Sequence, residues 1–139
     1  GDLVALLANF RHRLEPDLRE AGLKCVWQVQ PCPSLPWLDA VNALQMLRIV
    51  QEGISNVLAH AKASVIEIGA RPVMVDGQAG IETWICDNGV GFDVEGVSNG
   101  RGLSNMQARA ASLGGRFSRT ATLLAGTKVV LWLPVSRQT

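Results

Sequence analysis

Apolar side chains recur at Leu3, Leu6, Leu7, Phe10, Leu14 and Leu18, near the spacing that lines one side of a helix across residues 2 to 21. Pro16 falls inside this segment, where its missing donor and crowded ring predict a break or kink. After Gly22, LKCVWQV (23–29) reads as a strand, and PCPSLP (31–36) as loop or the cover of a sheet edge. The strongest helical period runs from Leu38 to Ala61. Val41, Leu44, Leu47, Val50 (or Ile49), Ile54, Val57 and Leu58 are expected on its buried side. VIEIGAR (65–71) and IETWICD (81–87) read as strands joined by a hairpin through DGQAG (76–80). NGRG (99–102) leads into a helix from Leu103 to Leu113, which Gly114-Gly115 terminates as a C-cap. RFSRT (116–120) and TKVVLWLP (127–134) close the chain as a hairpin around LLAG.

The resulting order is helix, strand, helix, strand, strand, helix, strand, strand. Hairpin-linked strands with helices between them predict an α/β two-layer sandwich: a mixed, largely antiparallel sheet covered on one face by helices. A Rossmann unit would need strict βα alternation and a Gly-rich turn after the first strand, and neither is present. There is no internal repeat or low-complexity tract.

With 139 residues the chain suits one domain that buries a core, and 47 % hydrophobic against 18 % charged residues argues against disorder. A net charge of +1 with no basic block argues against a dedicated nucleic-acid binder. Cys25, Cys32 and Cys86 are odd in number and lack metal-ligand spacing, and His12 and His60 complete no zinc set; reduced thiols in a cytosolic protein are expected. No apolar run approaches the roughly 18 residues that span a bilayer, and no signal peptide is visible. The chain begins at Gly1 and enters a helical pattern at once, as a piece cut from a longer protein would.

Three features carry candidate chemistry. In QEGISNVLAHA (51–61), Glu52, Asn56 and His60 stand at successive i, i+4 positions on one helix face. A solvated polar face explains them, except that Asn is a poor helix-interior residue. DNGVGFD (87–93) puts a carboxylate at the end of an apolar strand, followed by a turn signal and two glycines. NGRGLSNMQARA (99–110) opens a helix whose first N–H groups suit a phosphate, although no Walker Lys-Ser/Thr follows. Gly126-Thr127 by itself is an ordinary hairpin entry.

In this order the motifs resemble the ATP-binding domain of sensor histidine kinases, in the gyrase-like superfamily with the Bergerat fold. QEGISNVLAHAKAS resembles the family's N box and DNGVGFD its first glycine box. GRGLSNMQARAASLGG with GTKVVLWLP resembles the second glycine box and final strand. The phrasing is most similar to the subclass of nitrate and nitrite sensors, and the resemblance covers about residues 23 to 135.

The resemblance implies a role for each motif. Asp87 would accept a hydrogen bond from the exocyclic amine of adenine, supported by Thr127, with Gly89 and Gly91 letting the backbone approach the base. A charge-assisted bond of that kind implies a roughly ten- to hundredfold preference for ATP over GTP. Asn56 would ligate Mg²⁺ bridging the phosphates. Glu52 would orient a water or metal-bound group, or help as a base. Gly100 and Gly102 would let a lid between Phe92 and Arg101 close on the phosphates, and Leu103 and Met106 would pack near the nucleotide, as core packing would equally place Met106.

The sequence departs from the family twice. Ala59 stands where the subclass usually has a basic residue after the N-box Asn, leaving His60, Lys62 or Arg101 to supply the charge, or a weaker affinity if none does. His12 lacks the acid-flanked context of the phosphoacceptor histidine. Residues 1–22 are therefore expected as the tail of a connecting helix and 23–139 as the catalytic domain. The helical dimerisation module and a response regulator are the implied partners. The parent would be a homodimer and this piece a cytoplasmic monomer, with room for an inner-membrane anchor elsewhere. The rivals are a serine kinase of the anti-sigma-factor type and a degenerate nucleotide-binding scaffold.

Overall fold

A computed structural model describes residues 1–89, 101–122 and 126–137. The elements are α1 (Leu3–Glu20), β1 (Lys24–Val29), α2 (Ala40–Asn56), β2 (Val65–Val75), β3 (Gln78–Asp87), α3 (Arg101–Ser112), β4 (Arg116–Thr122) and β5 (Gly126–Pro134), with a π-helical turn at Val57–Ala61 extending α2. The sheet order is β1-β2-β3-β5-β4. Among the described residues only β1 and β2 run parallel, joined through α2, and the other pairings are antiparallel. The helices pack on one another and on one face of the sheet, which is the expected two-layer sandwich.

Side chains alternate across the strands, so Ile66, Ile68, Ala70, Ile81, Ile85, Val129, Leu131 and Leu133 all face the helices and are buried. The opposite face is covered by its own indoles. Trp84 lies across Gly69 and Trp132 across Gly80, each so close that a Cβ there would overlap the ring. Their Nε1 groups donate to Glu67 Oε2 (2.8 Å) and the Val73 carbonyl (2.9 Å).

Both long helices start at an aspartate. Asp2 Oδ1 accepts from the Ala5 N–H (3.1 Å) and Asp39 Oδ1 from the Asn42 N–H (2.9 Å), satisfying donors that the first turn leaves free. The proline-rich loop folds back on the start of α1: the Gly1 ammonium donates to the Leu35 carbonyl, and the Leu35 N–H to the Gly1 carbonyl (2.9 Å). Leu3, Leu7, Phe10 and Leu18 belong to the same apolar cluster as Leu35, Leu38 and the sheet.

Two expectations are corrected. α1 runs unbroken through Pro16. The donor that Pro16 lacks would have met the His12 carbonyl, and both residues lie on the exposed side, where water can serve that oxygen. On α2, Val41, Leu44 and Leu58 are exposed (69 %, 50 % and 41 %). Ile49, Val50, Ile54 and Val57 are buried as expected, and Met46 and Gly53 join them. Two apolar rows overlap along this helix, and the one that includes glycine is the one that reaches the sheet.

Candidate functional site

β3 ends at Asp87, whose side chain projects to the helix-facing side two residues beyond Ile85 and is only 6 % exposed. Asp87 Oδ1 accepts from the Gly89 N–H (2.8 Å), a tight turn of the carboxylate onto its own backbone that fixes its direction. The other oxygen, Oδ2, is buried without a hydrogen-bond partner among the described residues. So is Oγ1 of Thr127 on β5, itself 8 % exposed. Both residues line one narrow recess, partly open to solvent, together with Gly53, Asn56, Val57, Ile85, Arg119 and Val129.

Local chemistry brings these walls together. Gly126 at the head of β5 adopts φ +93°, and a Cβ there would lie 2.0 Å from the Asp87 carbonyl oxygen. Only glycine permits both the left-handed backbone and the close approach of the two strands. Asn88 anchors the other side: its Oδ1 accepts from the N–H groups of Ser64 (3.0 Å) and Val65 (2.9 Å), and its Nδ2 donates to Ser64 Oγ (2.9 Å). Gly53 brings α2 down onto the sheet, since a Cβ would sit 3.0 Å from Val129 Cγ2 and 3.2 Å from Ile85 Cδ1.

The predicted residues separate into groups. Asp87, Thr127 and Asn56 converge on the recess, and Gly89 supports Asp87. Met106 is buried in the core from α3, and Leu103 is half-buried. Glu52 shares the α-helical face of Asn56 one turn earlier but is exposed and outside the recess wall. The chain turns π-helical directly after Asn56, so the i, i+4 alignment expected to carry on to His60 is not that of an α-helix. Lys62 is exposed and ends this turn in the left-handed region (φ +50°). Gly91 and Gly100 lie outside the described residues, as does the expected lid from Phe92 up to Arg101. Gly102 and Arg101 begin α3, and the side chains of Arg101 and His60 are likewise outside.

Gly53, Val57 and Arg119 line the site and were not anticipated. A glycine inside a strongly periodic helix, at a cost of about 1 kcal/mol relative to alanine, was the available signal for Gly53. A charge two residues from Phe117, on the same strand face, was the signal for Arg119.

The recess has the character of a site for a flat, mostly apolar heterocycle carrying one donor: apolar walls, a narrow gap and two waiting acceptors. A buried carboxylate oxygen left without a donor costs free energy that such a ligand relieves. For a divalent cation the protein offers one amide oxygen at Asn56 with a carboxylate one turn away. No cluster of three acidic, histidine or cysteine ligands exists among the described residues. That sparse set fits Mg²⁺ held mainly by phosphates and water. No described helix is long and apolar enough to cross a membrane.

Known proteins agree with this architecture. The chain is 31 % identical over 134 residues to the sensor histidine kinase LiaS of Bacillus subtilis, covering 96 % of this chain and 33 % of LiaS. It is 33 % identical over 94 residues to the sensor protein VraS of Staphylococcus saprophyticus, covering 67 % of this chain and 26 % of VraS. It thus spans a third or less of these relatives. Among solved structures, full-length ShkA in complex with AMPPNP superposes with a TM-score of 0.78 at 18 % identity, over 100 % of this chain and 31 % of that one. The histidine kinase AdeS of Acinetobacter baumannii gives 0.72 at 16 % identity, over 98 % and 66 %. These likenesses establish the fold. Residues 41–137 match the sequence family of histidine kinase-, DNA gyrase B- and HSP90-like ATPases, and the chain belongs to that family.

Proposed function

We propose that this chain is the ATP-binding catalytic domain of a sensor histidine kinase, presenting the γ-phosphate of MgATP to a histidine on a separate helical module. The observation that carries the reading is the pair of buried acceptors, Asp87 Oδ2 and Thr127 Oγ1, facing the recess that Asn56 also lines. Asp87 accepts from the adenine amine, held in line by the Gly89 N–H on its other oxygen, while Gly53, Val57, Ile85 and Val129 enclose the ring and exclude water. Asn56 would hold Mg²⁺ through its side-chain oxygen, and the ion would supply neutralisation of the phosphate charge. Glu52, exposed one turn away, orients a water or serves as a base. Phosphoryl transfer depends mainly on such positioning and charge neutralisation.

Residues 1–22 form the tail of the helix that leads from the dimerisation module, and 23–139 the catalytic domain. LiaS is named as a sensor histidine kinase, which favours histidine over serine as the acceptor. Phosphate passes from there to a response regulator, and the domain works in the cytoplasm as part of a homodimeric parent.

Calorimetric titration with ADP and ATP, with and without Mg²⁺, tests the site. Asp87→Asn is expected to weaken adenine-nucleotide binding roughly ten- to hundredfold, and Asn56→Ala to abolish its Mg²⁺ dependence. No binding up to millimolar nucleotide would sink the reading.

A further inference from the structure

One charged side chain in the recess has no part in the scheme above. Arg119 of β4 pairs with Val129 of β5, which pairs in turn with Ile85 of β3. Residues directly opposite in an antiparallel ladder project from the same face, so Arg119 points toward the helix layer with Val129 and Ile85. It is half-buried in the wall that holds Asp87 and Thr127. An arginine on the inner face of a strand calls for a partner. Arg116, which faces outward on the same strand, pairs with Asp76, and Arg71 pairs with Glu82 (3.4 Å). Among the described residues no carboxylate lies within ion-pair distance of Arg119.

We propose that Arg119 is a base-contacting specificity residue, its guanidinium lying against the purine whose amine Asp87 receives. The inference rests on the nucleotide-binding reading of the recess. Asp87 and Thr127 serve the donor edge of the base, and the walls at Gly53, Val57, Ile85 and Val129 offer nothing to the ring nitrogens, which are acceptors. A guanidinium is a donor only and packs well on a π face. Arg119 stands two strands across from Ile85, and Asp87 lies two residues further along β3, so their backbones are roughly 12 Å apart at sheet spacing, which leaves room for a bicyclic base between the two side chains.

Arg119→Leu isolates this contact, and titration with adenosine and with ADP, followed by NMR so that weak affinities are readable, separates base from phosphate. The expected result is a rise in Kd of about 5- to 30-fold, equal for adenosine and ADP. Arg116→Leu, which removes the same charge from the outward face, is expected to leave both within about twofold. Should the leucine variant not fold, Arg119→Met carries the same expectation with the aliphatic stem preserved. Unchanged or tighter binding overturns the proposal, and so does a loss confined to ADP, which would place the guanidinium on the phosphates. If the parent chain binds neither ligand, the nucleotide reading itself falls, a result distinct from either of these.

Discussion

Gly126→Ala perturbs the fold and the site through one methyl group. The backbone at this position has φ +93°, where a side chain is strained, and the new Cβ would lie 2.0 Å from the Asp87 carbonyl oxygen and 3.0 Å from its carbon. The obstruction is backbone on a paired strand, so no rotamer change relieves it and β3 and β5 must part at their ends. Strain in a sparsely populated backbone region costs about 1–3 kcal/mol, and forced overpacking adds about 1–3 kcal/mol. A loss of roughly 2–6 kcal/mol is therefore expected, a large fraction of a small domain's stability. Gly77→Ala separates the two contributions, because Gly77 has a similar φ of +77° with nothing within 4 Å of its Cβ position. That variant is expected to lose only about 1 kcal/mol. Urea unfolding of both, at unchanged m-value, gives the comparison directly. ADP titration of whatever Gly126→Ala protein remains folded should show weakened binding, since Asp87 is displaced with the strand. Equal losses for the two variants would refute the close-approach argument.

Two further outcomes follow from particular contacts. Asn88→Ala removes the acceptor of two backbone N–H groups and a donor to Ser64, and is expected to destabilise by about 1–3 kcal/mol in urea unfolding, while Asn88→Asp, which keeps the acceptor, loses less. Burial raises the thiols of Cys25, Cys32 and Cys86 above their ordinary value of 9.0, with the nearby Arg11 opposing the shift at Cys25. The folded chain thus holds these protons more tightly than the unfolded chain. The resulting stability is present below the ordinary thiol range and declines as pH rises past 9 toward the raised values, a fall that a triple Cys→Ala variant should lack in urea unfolding across that window.

Most of this architecture was legible in the residues because its signals are local. Short apolar runs between turn signals marked the strands, and the Asp76-Gly77 pair within DGQAG, both at positive φ, marked the β2–β3 turn. Asp87 alone reads as the start of a turn, and it was legible as a site only through the order of the motifs around it and the resemblance they carry. What escaped depends on the third dimension. Pro16 was tolerated because water reaches the carbonyl it leaves unpaired, and exposure is not a local property. On α2 the deeper half of the stripe was legible, but Val41 and Leu44 were placed inside and Gly53 passed over, because periodicity weighs large apolar side chains whereas contact with Val129 and Ile85 selects for the absence of one. The π-helical turn after Asn56 has no recognisable sequence mark. Arg119 was hidden because a lone charge in a strand reads as surface until the register of β4 against β5 is known.

The turn at Asp87 spends one carboxylate oxygen on the Gly89 N–H and leaves the other without a partner among the described residues. With Thr127 Oγ1 in the same condition, the chain carries two buried polar atoms that cost it stability. Selection for folded yield alone, in a library grown without regard to ligand, should drift toward apolar residues at both positions and would erase the proposed site while stabilising the chain. The same conflict works as a map. Buried positions where losing polarity stabilises the chain are the positions at which stability has been given up for a ligand.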